Sequence, residues 1–264
     1  MPAPDLALLI DAAQAAGRIA EKHWRQDPEA WDKAGGAGPV TEADLEVDRM
    51  LRTELLAARP DYGWLSEETE DTPDRLDRER VFVVDPIDGT RSFMAGQRTF
   101  AHALAVVENG IPVAGVVYLP LRDKLYTAAR GAGAALNGTV LRISTRSEVA
   151  GATVLAARPN LEGHHWGGTP PALDRHFRSS LAYRLALTGE GRFDAMLTLR
   201  NSWEWDIAAG CLIVEEAGGQ TTDRHGAGLR FNNPSAQTKG VVAANPRLHA
   251  ELSAKLTSMS ERSS

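Results

Sequence analysis

Four apolar residues run directly into two carboxylates in the stretch VFVVDPIDGT, residues 81 to 90. The apolar run reads as a buried strand. Asp85 and Asp88 follow it, separated by Pro86 and Ile87. Proline fixes φ and cannot extend a sheet ladder, so a turn is expected here that points both carboxylates toward one point. Two carboxylates close together in a partly dry site repel, and one would take up a proton. A divalent cation removes that penalty, and hard oxygen ligands at this spacing suit Mg²⁺, with the Ile87 carbonyl well placed to join them. Gly89 and Thr90 open the next segment, where their N–H groups can bind a phosphate. The same D-P-x-D-G composition also makes an ordinary turn, so other segments must decide.

A chain of 264 residues with 43% hydrophobic content can bury a sizeable core, in one large domain or two closely packed lobes. Its formal charge of −6 leaves no excess of basic residues to neutralise a nucleic-acid polymer. A small phosphorylated ligand stays open, because a bound metal reverses the local field. Cys211 is the single cysteine, so no intramolecular disulfide can form, which suits a reducing cytoplasm. Asp5 and Asp11 flank the first apolar run, which reads as an amphipathic helix and not as a signal peptide. No apolar stretch approaches the roughly 20 residues needed to span a bilayer.

Helical periodicity covers 4 to 26, and Thr41 can cap a second helix over about 42 to 59. The glycine-rich stretch 33 to 39 reads as a mobile loop. Strands are expected at 81 to 85 and near 101 to 107, 112 to 118 and 124 to 128, joined by Gly- and Asn-containing hairpins into a largely antiparallel sheet. Beyond about 145, strands at 152 to 158, 195 to 199 and 240 to 245 alternate with helices at 180 to 191, 206 to 219 and 245 to 256. An N-terminal α+β lobe (1 to 145) followed by a C-terminal α/β lobe (146 to 264) is the expectation.

Glu67 and Glu68 follow a short apolar stretch in GWLSEETE (63 to 70), and Asp206 stands between Trp205 and a helix in WEWDIAAG (203 to 210). Alone, Glu67 would be a solvated charge and Asp206 a helix cap. Together with Asp85 and Asp88 they form an acidic set without matching basic partners. In SEE (66 to 68), DPIDGT (85 to 90) and WDIAAG (205 to 210), in this order, the chain resembles the inositol monophosphatase superfamily of metal-dependent, lithium-sensitive phosphatases.

The resemblance spans nearly the whole chain and implies a layered α-β-α-β-α sandwich that hydrolyses a phosphomonoester of a small metabolite. It implies that Glu67 and the Ile87 carbonyl bind a first metal, that Asp85 bridges two metals, and that Asp88 and Asp206 complete the second. Two or three Mg²⁺ ions are implied, and Mn²⁺ accepts the same ligands. Thr90 would hydrogen-bond an attacking water, Glu67 would help draw off its proton, and the Gly89 and Thr90 amides would hold the phosphate, with Asp88 and Asp206 also facing substrate. Asp44, in VTEAD, matches an acid that supports the site. Lys33 falls where the family often has a loop lysine, or is a surface residue. Asp48, one turn after Asp44, reads as a solvated helix residue. Family members are often homodimers.

Inositol-specific members carry a glutamate seven residues before the aspartate at 206, where this chain has Leu199. The segment 179 to 197 is more similar to 3'(2'),5'-bisphosphate nucleotidases, which share its Ser-Ser-Leu helix. Those carry a lysine at the position of Ala182, and Arg184 could contact a second phosphate or be a surface residue. DPIDGTRSF also resembles bacterial histidinol-phosphate phosphatases, which leaves Arg91 ambiguous. Trp203 or Trp205 could stack on a base or pack beneath Asp206. His164 and His165 read as a solvated loop, and Cys211 as a small buried hydrophobe, not a nucleophile. A regulatory protein that binds phosphorylated ligands without turnover is the alternative from another class.

Overall fold

The computed structural model describes residues 3–26, 29–32 and 38–256. Two large sheets and three helical layers alternate. Strand Arg80–Asp88 shows why. Val81 and Val83 face one core cluster and Phe82 and Val84 another, so the strand is buried on both faces. Its sheet has seven strands, in the spatial order Gly63–Ser66, Arg80–Asp88, Ala101–Glu108, Ile111–Leu119, Lys124–Ala129, Gly133–Leu136 and Thr139–Val140. The first pair is parallel and every later pair antiparallel.

The outer face of this sheet is covered by α1 (Ala3–His23) and α2 (Glu42–Ala58) through Leu9, Ala13, Val47, Leu51 and Leu55. Thr41 caps α2 as expected: its hydroxyl accepts from the Asp44 N–H while the Asp44 carboxylate accepts from the Thr41 N–H. The short helix α3 (Thr90–Met94) follows the strand end.

The inner face packs on α4 (Leu181–Gly189) and α5 (Ala208–Glu216), which lie between the two sheets. The helices approach closely because a Cβ on Gly210 would stand 2.6 Å from the Leu185 Cβ. The second sheet is mixed, in the order Asp174–His176, Thr153–Ala156, Ala195–Thr198, Val241–Ala244 and Gln220–Thr222. Its far face is closed by α6 (Pro246–Lys255) through Leu248 and Leu252. The result is the α-β-α-β-α sandwich. The core cluster around its middle layer draws on both halves of the chain, so the two sheets share one core. Among the described residues no helix is long and apolar enough to cross a membrane.

Candidate active site

Strand Arg80–Asp88 does not turn at Pro86, as the sequence suggested; it continues through a β-bulge. Asp85 pairs with Ala103 and Asp88 with Ala101, so three steps on one strand match two on its partner. Residues three apart on a regular strand face opposite sides, and the extra residue brings Asp85 and Asp88 to the same face. Pro86 has no N–H to donate and sits in the irregular stretch. Its carbonyl lies 2.5 Å from Nδ1 of the buried His102. A carbonyl only accepts, so Nδ1 carries the proton. Burial pulls His102 down to about 4, which keeps the ring neutral.

Three elements converge on the bulge. The Glu67 N–H donates to the Val84 carbonyl, which sets Glu67 beside Asp85 at the end of the adjacent parallel strand. Asp206 arrives from the turn that leads into α5. It is not the cap of that helix, which starts two residues later with Ile207 in the cap position. Carboxylate oxygens of Glu67, Asp85 and Asp206 lie within 4.8 Å of one another. Asp85 is 1% exposed, and its Oδ1 has no hydrogen-bond partner among the described residues. Burial first, and then the charges of Glu67, Asp88 and Asp206, push Asp85 well above the usual carboxylate range. An all-oxygen set with an orphaned buried oxygen fits a hard divalent cation, which would supply the missing partner.

Asp88 lines the same cavity but stands outside that close trio. Its Oδ2 accepts from the Ser180 hydroxyl and from the Ala182 N–H, both at 2.7 Å. Burial raises it to about 6 against those two hydrogen bonds. Asp44 accepts from the Thr41 N–H and hydroxyl through Oδ2 and from the Thr90 hydroxyl through Oδ1, at 3.1 Å. Burial raises it also, to about 6. The Thr90 hydroxyl has a second acceptor, the Ile87 carbonyl at 3.2 Å, and one proton to share between them. Gly89 precedes α3 at φ 105°, a left-handed conformation that favours glycine.

Glu67, Asp85, Asp88, Thr90 and Asp206 open on a cavity of about 530 Å³ that Arg91, Arg200, Phe177 and Trp203 also reach, while Asp44 stands behind Thr90 and does not line it. Trp203 and Trp205 stack at 4.7 Å. Trp205 packs into the core while Trp203 is 40% exposed and lines the cavity, so packing and cavity lining fall to different rings. Arg184 is no surface residue: it is 6% exposed, donates from Nε to the Arg178 carbonyl at 2.5 Å and lies over the Phe177 ring. Leu199 is buried. His164 and His165 occupy a short 3₁₀ turn. Cys211 is buried in α5, and burial pushes its thiol up, away from a reactive thiolate. Lys33 lies outside the described residues.

Several contributors escaped the sequence reading. Asp48 is buried, not solvated. It accepts from the Ser66 hydroxyl at 2.5 Å and the Thr69 hydroxyl at 2.6 Å, so it clamps both sides of Glu67 and Glu68. The signal was present: Val47, Leu51 and Leu55 define the buried face of α2, and Asp44 and Asp48 stand on it. Ser180 was visible as a polar cap before an apolar helix, but its bond to Asp88 crosses 92 residues.

The inositol monophosphatase family model matches residues 1–261. An inositol-1-monophosphatase of Rhizobium meliloti is 39% identical over 204 residues, covering 74% of this chain and 75% of that protein. One from Mesorhizobium japonicum is 34% identical over 254 residues, 91% of each. Among solved structures, the extragenic suppressor protein suhB of Bartonella henselae matches with a TM-score of 0.81 and 31% identity, covering 96% of this chain and 98% of that one. With the carboxylate cavity, these likenesses define a metal-dependent phosphomonoester hydrolase. The chain belongs to the inositol monophosphatase family.

Proposed function

We propose that this chain releases phosphate from a small phosphorylated metabolite with Mg²⁺, two or three ions per site, and that its leading substrate is a 3'(2'),5'-bisphosphate nucleotide. The observation that carries the reading is the buried Asp85 oxygen without a partner, set among Glu67 and Asp206 on an open cavity. Glu67, Asp85, Asp88, Asp206 and the Ile87 carbonyl are the proposed ligands. Bound there, the ions would lower the pKa of a water and neutralise phosphate charge.

The rest of the chemistry belongs to the chain. Thr90, donating its one proton to Asp44, keeps a lone pair for a water on the cavity side. Asp44 stays a good acceptor because Thr41 supplies two further donors. Glu67 helps draw the proton from that water. The Gly89 and Thr90 amides hold phosphate oxygens as charge builds on them, and Asp88 and Asp206 face the same group. Arg184 stands near a second phosphate, and the exposed face of Trp203 suits a base. The family resemblance extends the reading to a homodimer in the cytoplasm.

Inositol 1-phosphate is the second reading, because relatives carry that activity in their names. Leu199, apolar and buried where a hydroxyl-binding glutamate would stand, speaks for the first. Phosphate release is measured from adenosine 3',5'-bisphosphate, inositol 1-phosphate, histidinol phosphate and fructose 1,6-bisphosphate, each with Mg²⁺ and with chelator. The nucleotide is expected to show the highest kcat/KM, and chelator to abolish release. A higher kcat/KM for inositol 1-phosphate replaces the leading substrate by the second. Release that survives chelation sinks the ligand set.

A further inference from the structure

Beside the carboxylate cavity lies a second one of about 560 Å³, and the two share Arg91, Phe177, Ser179 and Arg200. Its charge is opposite. Arg184, Arg224 and His165 join the two shared arginines around it, and no described Asp or Glu lines it. In a chain with 35 acidic and 29 basic residues, four guanidiniums have gathered on one hollow. None of the four makes an ion pair with a carboxylate among the described residues. The arrangement is costly to the empty protein. Burial, with repulsion from Arg200 added, pulls Arg184 down to about 10 despite the attraction of Asp88.

The arginines are also held in place. Arg184 is fixed by the Arg178 carbonyl and by its stack, 4.3 Å over the centroid of Phe177. Arg224 donates from Nη1 to the Leu199 carbonyl at 2.7 Å. Arg200 is exposed at the mouth shared by the two cavities. Planar guanidinium forks match the oxygens of a phosphate or carboxylate better than any other side chain does. Repelling cations that are pre-positioned and make no ion pair with a carboxylate among the described residues are stabilised by an anion that enters between them.

We propose that this arginine-lined annex is a specificity subsite that binds a second anionic group of the substrate, a phosphate or a carboxylate, while the scissile phosphate lies at the adjoining carboxylates. The proposal rests on the proposed function for the position of the scissile group. It deepens that reading by committing Arg184, Arg200 and Arg224 to the part of the substrate that does not react. It also makes the preferred substrates anionic at two separate ends.

The test compares kcat/KM within two pairs that differ in the second anion: adenosine 3',5'-bisphosphate against adenosine 3'-phosphate, and 3-phosphoglycerate against glycerol 3-phosphate. A preference above about tenfold in the first pair identifies a phosphate subsite, and in the second pair a carboxylate subsite. That preference falls by about tenfold in R200Q and in R224Q. A preference near one in both wild-type pairs, or one unchanged in both variants, overturns the subsite. A titration of the metal-free protein with inorganic sulfate needs no turnover. Without metal the carboxylate cavity repels anions, so sulfate reports on the annex. Its affinity is expected to weaken by about tenfold in R200Q, whose exposed side chain leaves the fold intact. Absent binding, or binding indifferent to both substitutions, overturns the subsite. Failure of all four compounds to release phosphate with Mg²⁺ counts against the proposed function, and the sulfate titration still decides the subsite.

Discussion

Glu204 and Asp85 represent two ways of burying a carboxylate. Glu204 is 0% exposed and Asp85 1%. Both are raised by burial. Yet Glu204 receives the N–H groups of Asn232 at 2.6 Å and Asn233 at 2.9 Å, and the Asn233 side-chain amide at 2.7 Å. Asp85 has an oxygen with no donor among the described residues and is surrounded by further carboxylates. A buried charge met by donors on both oxygens is structure, because the fold has replaced its water. A buried charge surrounded by like charge persists only where something outside the chain completes it. Depth of burial does not separate the two; the count of donors does.

D85N breaks the comparison most sharply. Loss of a proposed bridging ligand removes several kcal/mol of transition-state stabilisation, so kcat/KM should fall by at least about a thousandfold. The metal-free variant should melt no lower than the wild type, because the substitution removes a repelling charge. Mg²⁺ should raise the wild-type Tm by mass action and leave D85N unmoved. A variant that melts lower without metal and still turns over would make Asp85 a structural residue like Glu204.

E204A should reverse the pattern. It strands the backbone N–H groups of the half-buried Asn232 and Asn233, each costing roughly 1–3 kcal/mol, with some relaxation. Urea titration should show a loss of about 3 kcal/mol, while the Mg²⁺-induced rise in Tm persists. The same Asn232 that Glu204 holds also accepts from Arg75 Nη1 at 2.6 Å, so the loss should spread along the loop. A stable E204A protein with abolished metal response would move Glu204 into the metal site.

What the sequence disclosed follows the same division. Periodic burial was readable: α1, α2 and the apolar first part of strand Arg80–Asp88 lie where the apolar spacing put them, because their partners do not matter to the pattern. The bulge was not, because register is a property of the pair Asp85–Ala103 and Asp88–Ala101 and not of either strand alone. Arg184 is ambiguous in the sequence for a related reason. All of Leu181–Gly189 is buried, so α4 has no polar face from which the orientation of its arginine could be read. Arg200 and Arg224 meet only in the folded cavity. The proposed ligands stand in motifs legible in the sequence; the donors that separate a structural carboxylate from them come from distant segments.

Asp48 supplies the finest test, because it is a satisfied carboxylate whose partners flank a proposed metal ligand. Ser66 and Thr69 each spend a hydroxyl proton on it, and between them stand Glu67 and Glu68. D48A should therefore leave the proposed metal ligands intact and loosen the loop that carries one of them. Such supporting contacts are worth roughly 10–100-fold in metal affinity. The Mg²⁺ concentration for half-maximal activity should rise by about that factor, with kcat at saturating Mg²⁺ within a few fold of wild type. D48N should recover most of the loss, since its carbonyl can accept from one hydroxyl while its amide donates to the other. A D48A protein with unaltered Mg²⁺ dependence and lowered stability would class the clamp with Glu204, as fold and not as function. Full recovery in D48N of a large D48A defect would show that the geometry of the loop, and not the charge of Asp48, is what Glu67 requires.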